Sequence, residues 1–254
     1  MSGLRFESTA ALVVDGDRNG RLAPIHPLIG VVGGMGPLAS VEFLRGIYSG
    51  GLWDREQDGP RILLYSDPAV VDRTAAIHNG AYDELRRAVE TAARRLVDAG
   101  AVYVVVACVT AHHVFADLPA DLTERCVSLV DVIDHELSRA TEPHLLLCTS
   151  GAVSAGTFAP SRLGAGGDRL VRLEPADQDA LHREIYRLKT GGWPLDGLDF
   201  LRRLQARYPA RAAVAACTEL HLVARAAEEA GLAAEFPMID PLAIVADRIR
   251  NGAL

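Results

Sequence analysis

The chain has 254 residues, a length that suits one large domain or two small ones. A hydrophobic fraction of 49% and a mean hydropathy of +0.13 allow a sizeable core. A net charge of −7 speaks against a nucleic-acid or membrane-surface binder, and an anionic substrate would need a local cationic pocket.

No apolar run approaches the ~18 residues of a membrane span. The short apolar stretch at 10–14 follows Arg5 and Glu7 and is too brief and badly flanked for a signal peptide. Four cysteines without paired metal-ligand spacing predict free thiols in a reducing cytoplasm.

Residues 1–26 read as an appendage, a hairpin or an arm, with turn dipeptides Asp15-Gly16 and Asn19-Gly20. The fold proper begins at Pro27 with a continuous apolar strand, then a turn at Gly33–Pro37 and a helix from about Leu38. Strands follow at Arg61–Tyr65 and Val102–Ala107, separated by an amphipathic helix over 83–99 that Gly100 stops. The pattern then repeats. Strands are expected at Cys126–Val130, His144–Leu147, Ala212–Ala216 and Glu235–Ile239, with helices from Val132, over 177–189, over 198–208 and at the C-terminus. Apolar strands alternating with helices predict α/β architecture with parallel sheets covered on both faces.

Two cysteines stand in matching settings. Cys108 and Cys217 each end an apolar Val/Ala run, each has a histidine four residues on (His112, His221), and each has an aspartate 23 residues on (Asp131, Asp240). This suggests an internal duplication with one thiol per half. The division expected is 27–125 plus 225–254 for one domain and 126–224 for the other. In open α/β sheets ligands sit beyond the carboxyl ends of strands, where both cysteines fall. Each precedes an expected helix start, with Thr110 and Thr218 as caps, and a helix N-terminus favours thiolate. Taken singly, either cysteine could be a small buried hydrophobe. Cys126 and Cys148 have no matched surroundings and are assigned to packing.

Six segments together resemble the aspartate/glutamate racemase family. They are Ile29–Ala39 with its glycine loop, Ser66–Thr74, Cys108-Val-Thr-Ala-His112, Leu147–Gly151, and Cys217-Thr-Glu219-Leu with Ile239-Asp-Pro241 beyond it. The resemblance covers about 27–254. It implies two pseudo-symmetric parallel-sheet α/β domains with the site in the cleft between them, in a homodimer. It also implies racemisation of aspartate, or glutamate, by two thiols without pyridoxal phosphate or metal. One thiolate removes the α-proton and the opposite thiol supplies one. Cys108 and Cys217 would be the catalytic pair. Met35, Gly36, Arg73, Val109, Thr110, Thr149, Thr218 and Lys189 would line the substrate, with Arg73 and Lys189 on its carboxylates. His112 and Glu219 would support the thiols. Without the resemblance, Arg73 and Lys189 read as solvated charges, Glu219 as a helix-start carboxylate, and the histidines as structural. Val109 stands where the family usually has Asn, Ser66 where Asn is common, and Ala152 where Thr is common.

Other readings are a related thiol isomerase on another small carboxylate, a non-catalytic ligand-binding relative, and a dinucleotide enzyme. The last rests on Gly34-x-Gly36-x-x-Ala39 after a strand, although the acid expected about 20 residues on is poorly placed.

Overall fold

The structure, a computed structural model, describes residues 26–49 and 53–254. Apart from His26, the N-terminal appendage lies outside the described residues. Strands β1 (Leu28–Gly33), β2 (Arg61–Ser66), β3 (Tyr103–Val106) and β4 (Cys126–Val127) form one parallel sheet in the order β2-β1-β3-β4. Strands β5 (His144–Leu147), β6 (Leu170–Val171), β7 (Ala212–Ala215) and β8 (Met238–Ile239) form a second in the order β6-β5-β7-β8. The second sheet repeats the first strand for strand, as the paired cysteines predict. Val104, Val105 and Val106 are all fully buried, because helices cover both faces of a parallel sheet.

Ten α-helices accompany these strands among the described residues: α1 (Pro37–Ser49), α2 (Arg73–His78), α3 (Tyr82–Asp98), α4 (Ala120–Thr123), α5 (Leu129–Arg139), α6 (Ser150–Ser154), α7 (Pro175–Lys189), α8 (Pro194–Gln205), α9 (Glu219–Glu229) and α10 (Pro241–Arg250). They sort the core into three clusters. Residues of α3 such as Leu85, Val89 and Leu96 pack on one face of the first sheet. Leu181 and Ile185 of α7, Leu201 of α8 and Val223 of α9 pack on one face of the second. The third cluster joins the halves: Val31 and Val105 share it with Leu146 and Val214, through α1, α5 and α10.

Three expectations are corrected. First, the strand at 126–130 is only Cys126–Val127. Ser128 then accepts a bond from Asp131 N, and α5 begins. Asp131 therefore sits in a helix and closes no strand. The counterpart of Asp240, which caps α10, is Ser128. Second, the strands do not divide at 126 and 225. β4 pairs with β3 in the first sheet, and β8 with β7 in the second. The C-terminal helix does cross back to the first half, where Arg250 Nη1 donates to Gly46 O of α1 at 2.6 Å. Third, Thr110 and Thr218 cap nothing with their side chains. The turn after Cys108 is a 3-10 helix over Thr110–Asp117, so an α-helix dipole does not act on that thiol.

Candidate active site

The shared strand order carries Cys108 and Cys217 to equivalent places, two residues past the central strands β3 and β7. Both side chains are buried, at 4% exposure. Their neighbours differ. Arg73, the first residue of α2, is also buried; its Nη2 donates to Met35 O at 3.1 Å and Nη1 to Val71 O at 3.3 Å. Burial works against the Arg73 charge, but negative charge on Cys108, Asp72 and Glu219 outweighs it and raises the guanidinium above its ordinary range. One buried cation thus lies within reach of the first thiol and of the second thiol's neighbour.

Cys217 faces a carboxylate. Its Sγ donates to Glu219 Oε2 at 2.8 Å. Burial pushes this thiol well above the ordinary thiol range, and the charge on Glu219 adds to the effect while Lys189 opposes it. Cys217 is therefore held protonated. Glu219 is itself 2% exposed, the first residue of α9, and its Oε1 has no partner. A Cβ on Gly36 would stand 2.5 Å from that oxygen and 3.9 Å from Lys189 Cγ. Gly36, Glu219 and Lys189 therefore meet at one point, where the loop after β1 crosses onto the second half.

Lys189 Nζ lies 4.0 Å from Asp72 Oδ2 and 4.2 Å from the centroid of the Tyr186 ring. Asp72 caps α2 by accepting from Ala75 N, and it also accepts from Tyr186 Oη at 2.7 Å. Burial alone would raise the Asp72 carboxyl, but these bonds and the Lys189 and Arg73 charges hold it below the usual carboxylate range. The halves meet again where Thr110 Oγ1 and Thr149 Oγ1 share a hydrogen bond of 3.0 Å. Thr149 also caps α6. Beside it, a Cβ on Gly151 would stand 2.8 Å from Thr74 Cα, so α2 and α6 cross in contact.

The glycine loop after β1 is filled by its own chain. Gly34 has φ +89°, and a Cβ there would stand 2.4 Å from Asp67 N. With Glu219 against Gly36, a carboxylate stands where a pyrophosphate would need donors, which argues against the dinucleotide reading. Among the described residues no group of three or more His, Cys, Asp or Glu side chains is placed to hold a metal ion, and no helix is long and apolar enough to cross a membrane. A cavity of about 280 Å³ near Leu146, Arg172 and Gln178 lies apart from the two thiols.

Residues 32–249 match the Asp/Glu/Hydantoin racemase family. The chain belongs to that family. It is an amino-acid racemase, an isomerase. Its fold is similar to that of the Picrophilus torridus aspartate racemase, with a TM-score of 0.69, 23% identity, and coverage of 89% of this chain and 94% of that one. An aspartate racemase homologue from Pyrococcus horikoshii gives 0.63 at 20% identity, covering 89% and 98%. The glutamate racemase of Campylobacter jejuni gives 0.58 at 18% identity, covering 88% and 85%.

In this racemase Gly36 of the first half meets Glu219 and Lys189 of the second, Glu219 bonds Cys217, and Arg73 bonds Met35 O and feels the charges of Cys108 and Glu219. Two expected site residues differ in setting. Val109 is buried in the central apolar cluster that also holds Cys148 and Ala152. His112 does not meet the Cys108 thiol. Its Nδ1 bonds Cys108 O and its Nε2 accepts from Leu129 N, both at 2.9 Å, which ties the cysteine turn to α5. Cys148 and Cys126 are packing residues, their thiols pushed up by burial to about 12 and about 11. Sequence reasoning missed Asp72 and Tyr186. Asp72 precedes a helix start and Tyr186 lies three residues before Lys189, a helical neighbour spacing, so both signals were present.

Proposed function

We propose that this racemase inverts the α-carbon of an acidic amino acid, aspartate ahead of glutamate, by a two-thiol proton transfer that needs no cofactor. Cys108, with Arg73 as its cationic neighbour, takes the α-proton as a thiolate. Cys217 gives its thiol proton to the opposite face of the same carbon. One proton leaves and one arrives, so the sum of charge is unchanged, and the reverse reaction exchanges the two roles. The single observation that carries this reading is the Cys217–Glu219 bond, which holds one thiol protonated, while the equivalent cysteine of the other half lies within the field of the buried Arg73. Arg73 and Lys189 supply the local cations that an acidic protein needs to hold a dicarboxylate. The tight convergence at Gly36, Glu219 and Lys189 favours the shorter side chain of aspartate. The Arg73 guanidinium and the Thr110 and Thr149 hydroxyls are donors available to the negative charge that develops on the α-carboxylate.

The test is α-proton exchange and racemisation of L-aspartate and L-glutamate in heavy water. Cys108→Ser and Cys217→Ser should each lose at least about a hundredfold in turnover while remaining folded. Full activity in either variant would end the two-thiol mechanism. Lys189→Met should weaken aspartate more than a neutral amino acid. Equal weakening would make Lys189 structural. A homodimer in a reducing cytoplasm completes the proposal, supported by four unpaired thiols. Sedimentation of the purified protein tests the dimer.

A further inference from the structure

We infer that Glu219 is the group that reads the substrate's α-ammonium, and so restricts the site to amino acids over plain dicarboxylates. The inference rests on the proposed function, since it needs an amino acid at the site. Among the described residues, Glu219 Oε1 is the one carboxylate oxygen that is fully buried with no hydrogen-bond partner. Its sister Oε2 is taken by the Cys217 thiol. A buried, unpaired carboxylate oxygen is costly unless a donor arrives. The buried Arg73 Nε is likewise unpartnered, and the Glu219 charge reaches that guanidinium. An orphaned acceptor and an orphaned cationic donor therefore share one buried region. An α-amino acid brings the complement of each, an ammonium and a carboxylate.

The charges count the same way. Two cations, Arg73 and Lys189, match the two carboxylates of an acidic amino acid. One anion is left to match its ammonium. Asp72 is not that anion, since Ala75 N engages its Oδ1 and Tyr186 Oη its Oδ2. A proton relay to solvent would need an exposed path, and Glu219 is 2% exposed. Gly36 completes the arrangement. Any side chain there would meet Oε1 at 2.5 Å, so glycine leaves the oxygen room to face the cleft.

The experiment compares binding of L-aspartate and of succinate, which has the same carboxylates and no ammonium, by titration calorimetry on the full chain. Wild type, Glu219→Gln and Gly36→Ala are measured beside α-proton exchange. In Glu219→Gln, aspartate should weaken about tenfold or more, the loss expected for a charge-assisted bond, while succinate is unchanged or tighter. Gly36→Ala pushes the carboxylate aside without altering it, and should give the same selective loss. Equal weakening of both ligands in both variants, or no change in either, would overturn the inference. Absence of α-proton exchange in wild type would instead overturn the reading of aspartate as substrate. Selective loss of aspartate binding would then still support the ammonium contact.

Discussion

At the scale of single residues, equivalent positions do different work. His112 and His221 each follow a cysteine by four residues, yet one ties backbone to backbone and the other bonds Asp240 Oδ2 through Nδ1 at 2.6 Å. Leu129 N can only donate, so His112 Nε2 must accept and its proton must sit on Nδ1. Burial lowers the His112 pKa to about 4. The neutral ring is thus favoured in the folded state. Its contribution is fully present above the unfolded value of about 6.5, and is lost as pH falls from there toward about 4. The drop is on the order of 3 kcal/mol. Urea unfolding between pH 7 and pH 4 should record this slope. His112→Gln should be less stable at pH 7 and flatter across the window. An unchanged slope would place the pH sensitivity elsewhere. Val109 carries a second expectation. It shares the central cluster with Ala152, the other position where a family polar residue is missing. Val109→Asn should cost about 1–3 kcal/mol by burying an unpaired amide. If the two departures are coupled, adding Ala152→Thr should recover part of that cost in a double-mutant cycle.

At the scale of elements, caps explain both what was legible and what was not. The continuous apolar runs at Leu28–Gly33, Tyr103–Val106 and His144–Leu147 were readable because strands buried on both faces need no alternation. The long helices α3 and α7 were readable from apolar spacing. Short elements were not. β6 is two residues and α6 five, too few for any period to register. The equal 23-residue offsets suggested equal roles for Asp131 and Asp240, but spacing cannot reveal that Ser128 ends β4 and caps α5. Among the site residues, the cysteines were legible from repeated context, whereas Asp72 and Tyr186 acquire their meaning only when the halves meet. Asp240 accepts from Leu242 N and Ala243 N as well as from His221. Burial would raise its carboxyl, but the electrostatic pull of His221, followed by these three bonds, holds it below the usual carboxylate range. Its contribution is therefore present above that range and lost on acidification through it. Asp240→Ala should cost a cap, about 1 kcal/mol, and also leave a buried imidazole N–H unpaired, about 1–3 kcal/mol more. Ser128→Ala removes only a cap. Thermal unfolding at neutral pH should rank Asp240→Ala well below Ser128→Ala; equal losses would mean that the His221 bond contributes little.

At the scale of the whole molecule, two similar halves could fold separately or as one unit, and the core decides between these. The central cluster draws Ile29 and Val105 from the first sheet and Leu146 and Val214 from the second, with Leu242 and Val245 of α10 packed among them. Neither sheet can cover that face without helices that follow the other sheet's last strand. α5 follows β4, and α10 follows β8 and crosses back to α1. The shared cluster predicts a single cooperative unit, although a chain of this length often unfolds in steps. Leu242 is fully buried, and Leu242→Ala should cost about 2–5 kcal/mol. If the halves are one unit, hydrogen exchange by mass spectrometry should lose protection equally in peptides covering β1 and β3 and in those covering β5 and β7. Leu201→Ala serves as the comparison, because Leu201 belongs to the cluster on the outer face of the second sheet. In a single unit it too lowers both sheets together. If protection falls only around β5 and β7 in the Leu201 variant, the halves open independently. The site would then be assembled by docking of two autonomous domains, with Glu219 and Lys189 carried to Gly36 only when they close.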